Sequence, residues 1–64
     1  MILKLGNYEI YSDTKNIKLH ESLEGVKKEF KNSVFIEVAG VIEEVPVDGR
    51  FYIVNNCYVK VKRL

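Results

Sequence analysis

Few side chains in this sequence could do covalent chemistry. There is one histidine, His20, and one cysteine, Cys57. A thiol and an imidazole perform nucleophilic catalysis only when the two groups meet and a third orients the base. Nothing in their spacing supports such a pair. The plainer expectation is a partly buried thiol and a histidine at the start of a helix. The two cannot fill a zinc site without carboxylates, and no ligand spacing accompanies them. Glu43 and Glu44 resemble a general acid–base pair, but strand neighbours point to opposite faces unless a bulge intervenes. The glycines at 6, 25, 40 and 49 are scattered, so no phosphate-cradling loop exists. With no acid, base and nucleophile set to name, the expectation is a protein that is not an enzyme and has no metal or cofactor.

Binding is the chemistry the residue types favour. The stretch from Val34 to Leu64 is rich in Val, Ile, Phe and Tyr, and Asp48-Gly49 and Asn55-Asn56 interrupt it as turn signals. That pattern predicts an antiparallel meander. Its inner face is expected to hold Val38, Ile42, Phe51, Ile53, Val59 and Val61. Its outer face is then Phe35, Ala39, Val41, Tyr52, Val54 and Tyr58, with Lys60 and Lys62 beside the tyrosines. Apolar patches of that size mark interaction sites or are covered by another part of the chain. The candidate interface is therefore Phe35, Val41, Tyr52, Val54, Tyr58, Lys60 and Lys62. Aromatic rings interleaved with lysines on a sheet also stack single-stranded bases in some modules, which makes Tyr52, Tyr58, Lys60 and Lys62 a nucleic-acid alternative. Lysines on an edge strand have a plainer use as protection against aggregation.

Other elements must position this surface. Ile2–Leu5 and Tyr8–Tyr11 flank Gly6-Asn7, which suits a two-residue turn with Gly first. That register sets Leu5 opposite Tyr8, Leu3 opposite Ile10 and Lys4 opposite Glu9. Ile17 and Leu19 are spaced as in a short strand. Leu19, Leu23, Val26 and Phe30 then follow a helical stripe, with Ser22 as N-cap and Lys27, Lys28 and Lys31 at the other end. The spacing predicts a helix over 22–31, although Gly25 costs it about 1 kcal/mol relative to Ala. In the C-terminal stretch, the run from Val34 to Val45 reads as one strand with a bulge at Glu43-Glu44. Val47-Asp48-Gly49 reads as a three-residue hairpin. An odd-length loop at Asn55-Asn56-Cys57 keeps Val59 and Val61 on the same face as Phe51 and Ile53.

The expected architecture is a single α+β domain over 1–64, in the order ββ-α-βββ, with the C-terminal meander curled around or packed against one helix. A chain of 64 residues has a marginal core, and one cysteine gives no internal disulfide, so association into a homo-oligomer, most simply a dimer, is expected. The formal charge of +1 is no footprint for general nucleic-acid binding. A lone thiol suits a reducing compartment, no apolar stretch is long enough to cross a bilayer, and MILKLGNYEI lacks the features of a signal peptide. A cytoplasmic protein without a membrane partner is the expectation. In function it reads as a small protein-interaction module of the inhibitor or accessory-subunit kind. Nucleic-acid binding and an oligomeric small-ligand binder with an inter-subunit pocket stand behind that reading.

Overall fold

The computed structural model describes residues 1–64, all of them in strands, turns or irregular chain. Seven strands follow in order: β1 (Ile2–Leu5), β2 (Tyr8–Ser12), β3 (Ile17–His20), β4 (Ser33–Val38), β5 (Val41–Pro46), β6 (Phe51–Val54) and β7 (Cys57–Arg63). They form two antiparallel sheets, one of four strands in the order β1-β2-β7-β6 and one of three in the order β3-β4-β5. The fold is all-β, and the expected α+β class is overturned.

The β1–β2 hairpin forms in the expected register, with Lys4 opposite Glu9 and Leu5 opposite Tyr8. Gly6 takes φ 59° and Asn7 stays at negative φ, as a turn of type II′ requires. Here hydrophobic alternation, turn residue and cross-strand charge all favour one pairing.

The helix over 22–31 does not exist; the chain there is irregular. Three helical turns are marginal in water unless a face docks. Gly25 adopts φ 76°, which interrupts a right-handed helix, and Val26 N–H reaches only back to the Leu23 carbonyl at 3.1 Å. The N–H groups of Glu29 and Phe30 donate instead to the Glu44 carboxylate, each at 2.9 Å. Val26 and Phe30, half of the supposed stripe, are 53% and 49% exposed. Leu19, its first member, lies in β3 and pairs with Ile36.

The C-terminal stretch is also divided differently. Ala39 and Gly40, at φ 49° and 88°, form a two-residue turn that splits the expected long strand into β4 and β5. The two pair in unbroken register from Ser33–Pro46 to Val38–Val41, so no bulge occurs at Glu43-Glu44. The Asp48-Gly49 connection is not a hairpin: it carries the chain from β5 in one sheet to β6 in the other. Asn55 and Asn56, at φ 48° and 63°, make a second two-residue turn with both central residues left-handed. This is the geometry that joins tightly paired strands, and Asn tolerates it where Cys does not. The odd-length loop is therefore overturned.

The consequence is a swap of faces. Phe51 pairs with Lys60 and Ile53 with Tyr58, whereas Tyr52 pairs with Val59 and Val54 with Cys57. Val54, Val59 and Val61 are fully buried, while Phe51 and Ile53 are exposed. The inner faces of both sheets supply one core: Ile10, Val54, Val59 and Val61 from the four-stranded sheet meet Ile17, Val34, Ile36, Val38 and Val45 from the other. The sheets are also tied by polar bonds. Asn55 Nδ2 donates to the Val38 carbonyl at 3.0 Å, and Gly49 N–H to that of Val61 at 3.1 Å. Arg63 of β7 donates from Nη2 to Asn32 Oδ1 at 2.7 Å, next to β4. Within the three-stranded sheet, Asn32 extends the β4–β5 pairing to Val47, its carbonyl accepting at 2.9 Å and its Nδ2 donating at 3.2 Å.

Candidate binding face

The outward side of the four-stranded sheet is the surface where exposed aromatic rings gather. The pairing of β2, β7 and β6 aligns Tyr11, Lys60 and Phe51 in one cross-strand row, with Ile2 of β1 beside Tyr11. Tyr58 and Ile53 form the next row, towards the Asn55-Asn56 turn. Lys4, Glu9 and Lys62 form the row on the other side. Ile2, Tyr11, Phe51, Ile53 and Tyr58 all remain substantially exposed. Their combined apolar area is on the order of several hundred Å², about the size of the largest patch on a typical monomer.

The rings are ordered against one another. Tyr11 and Phe51 have centroids 5.5 Å apart at an interplanar angle of 81°, and Phe51 and Tyr58 are 6.1 Å apart at 83°. Edge-to-face packing places the positive edge of one ring on the negative face of the next. Lys60 Nζ lies 4.7 Å from the Phe51 centroid and 5.5 Å from that of Tyr11. Tyr11, Asp13, Phe51 and Tyr58 enclose an open depression of about 360 Å³.

Of the residues the sequence singled out, Tyr58, Lys60 and Lys62 lie on this face. The structure separates the rest from them. Val54 is 1% exposed and belongs to the core. Tyr52 faces inward, half-buried against the core, and its hydroxyl donates to Asp48 Oδ2 at 2.6 Å. That bond holds the Asp48 carboxyl below its usual range, helped by the Arg50 N–H, and pushes the Tyr52 phenol up. Phe35 and Val41 lie on the three-stranded sheet, Phe35 buried and Val41 exposed. Tyr11, Phe51, Ile53 and Asp13 were missed. For Phe51 and Ile53 the signal was the Asn55-Asn56 dipeptide: as a two-residue turn, it puts them on the side of Tyr58 and Lys60. Tyr11 and Asp13 reach this face through the β2–β7 pairing, which no local signal announces.

The remaining polar groups have structural partners. Glu44 accepts from the Ser33 hydroxyl as well as from Glu29 and Phe30. Burial raises its carboxyl, but these donors and the Lys28 charge outweigh that and hold it below its usual range. The clamp fixes the irregular 21–32 chain beside Phe35, the cross-strand neighbour of Glu44. His20 Nε2 sits 2.8 Å from Glu37 Oε1 on the three-stranded sheet, whereas Cys57 belongs to the other. Burial, and then the nearby Asp13 charge, pushes the Cys57 thiol up, away from thiolate. A second cleft, of about 510 Å³, opens between Leu5-Gly6 and residues 17–21. No group of three or more His, Cys, Asp and Glu side chains is placed to hold a metal ion.

No protein-family model matches the chain, and neither does any curated protein or solved structure.

Proposed function

We propose that this chain is a non-enzymatic protein-interaction module, of the kind that serves as an inhibitor or accessory subunit, and that it binds through the open face of the four-stranded sheet. One observation carries this: five large apolar side chains, between 38% and 60% exposed, share one side of a single sheet. Leaving such a surface in water forgoes about 25 cal/mol for each Å² of apolar area that a partner would cover. The partner is a second copy of the chain or another protein. Self-association fits the small core, and Ile2 and Ile53, on the two edge strands, extend the patch across the full width of the sheet.

The test compares two double variants. Phe51→Ser with Ile53→Ser alters the open face, and Val41→Ser with Ile42→Ser alters the exposed part of the other sheet. Sedimentation at micromolar concentration and retention of lysate proteins on the immobilised chain are measured for each. The first variant is expected to lose the associations of the wild type and the second to keep them. Equal behaviour of the two, or a wild type that associates with nothing, would overturn the proposal.

Nucleic-acid binding is the second reading, favoured by the interleaving of Lys60 with Tyr11, Phe51 and Tyr58. On this face Tyr11 and Phe51 stand where the alternation pattern predicts Tyr52. Phosphate contacts strengthen as salt falls. Absence of binding to a labelled single-stranded oligonucleotide at low salt would remove it.

A further inference from the structure

The end of the open face nearest the Asn55-Asn56 turn has a more specific geometry than an apolar patch. Tyr11, Phe51 and Tyr58 stand nearly at right angles to their neighbours, at 81° and 83°, so that they form walls instead of a flat platform. A planar base stacks on one ring face at a time. A rounded cation meets several rings at once, and each ring face carries negative electrostatic potential. The fourth wall, Asp13, is a carboxylate. No lysine or arginine is bridged to it, and its side-chain neighbour is the neutral Cys57 thiol. The depression between these four residues, about 360 Å³, is open on its solvent side, so it suits a small head group and not a fully enclosed ligand. The rings already hold one cation, since Lys60 Nζ lies over Phe51 and Tyr11, yet Lys60 is not among the walls of the depression.

We infer that the Tyr11–Asp13–Phe51–Tyr58 depression binds a methylated ammonium cation, either a free quaternary amine such as choline or the head of a trimethylated lysine side chain. The inference rests on the open face being the working surface and names the group it recognises. Methylated nitrogen fits these walls better than a bare ammonium. Its charge is spread over methyl groups that pack on aromatic rings, and it gives up little hydration on entering. Asp13 supplies the countercharge.

NMR titration of the full chain, at a concentration where sedimentation shows monomer, tests this. The probes are choline chloride, a short peptide bearing trimethyl-lysine, the same peptide with unmodified lysine, and 3,3-dimethylbutanol, the uncharged isostere of choline. One or both methylated cations are expected to shift the resonances of Tyr11, Asp13, Phe51 and Tyr58 saturably. The tighter of the two assigns the source. The isostere and the unmodified peptide bind at least about 10-fold more weakly. Tyr58→Ala and Asp13→Asn, both at exposed positions, each lower the affinity by about 5-fold or more. The inference is overturned if the isostere binds as well as choline, if neither cation shifts these residues at about 50 mM, or if Tyr58→Ala leaves the titration unchanged. Cation binding that fails while face-dependent protein binding persists removes this site alone. Choline binding that persists while the Phe51/Ile53 variant loses no association removes the interaction module alone.

Discussion

At the scale of single residues, two carboxylates and one phenol tie stability to pH. Glu44 and Asp48 are both held below their ordinary values of 4.5 and 3.8. A depressed carboxyl favours the fold above its unfolded pKa, and that contribution is lost as pH falls through the folded value. The acid limb of stability therefore lies below pH 4.5. Glu44→Gln should flatten this limb in acid melts, lower the melting temperature at neutral pH and speed amide exchange at Glu29 and Phe30. Tyr52 works at the opposite end. Its pKa is raised above 10.0, so its contribution is full below that pH and disappears as the phenol ionises at higher pH. Tyr52→Phe should remove that alkaline loss while weakening the acid dependence that Asp48 contributes. An unchanged acid limb in both variants would contradict these assignments.

At the scale of elements, two turn positions discriminate the structure from its alternatives. In a helix over 22–31, Gly25→Ala would stabilise by about 1 kcal/mol. Gly25 is left-handed here, with open space where a Cβ would stand, so the same change should destabilise by about 1–2 kcal/mol through backbone strain alone. Urea denaturation gives the sign directly. Ala39 has the converse problem, since a residue with a Cβ holds φ 49° in a turn whose commonest sequence is Asn-Gly. Ala39→Asn should stabilise by about 0.5–1 kcal/mol without moving the register. These positions also show what was legible in the chain. The first hairpin was readable because Gly6, the Lys4–Glu9 pair and the apolar alternation agreed. Ala39-Gly40 was not, because alanine carries no turn signal, and the period-two pattern runs past it as if the strand continued. The helix was read from a stripe of four apolar residues that share no face. Nothing in the sequence announced that a carboxylate from Glu44 would take the amides such a helix needed. On the open face, Tyr58, Lys60 and Lys62 were legible from the alternation of the last strand. Phe51 and Ile53 were not legible, because their aliphatic alternation with Val59 and Val61 points inward while the turn preference of two asparagines points outward.

At the scale of the whole molecule, the core and the proposed binding face lie on different sides of the same strands of the four-stranded sheet. A domain of 64 residues holds roughly 3–10 kcal/mol of net stability. Ile36 has no exposed surface, and Ile36→Ala should cost about 2–5 kcal/mol, a large share of that margin. Ile53, 59% exposed, should tolerate Ser within about 0.5 kcal/mol. Denaturant midpoints that rank these two changes in the reverse order would show that the sheet faces are assigned the wrong way round. The position of β7 has one more consequence. It lies between β2 and β6, the strands that carry Tyr11 and Phe51, yet both precede it in the chain. During synthesis these rings have no common scaffold until Cys57–Arg63 has left the ribosome. A nascent chain stopped at Asn56 would hold most of the amino acids of the proposed binding face and none of its shape. Activity of any kind on this face should thus arise all at once on completion of the final strand, and not grow with chain length.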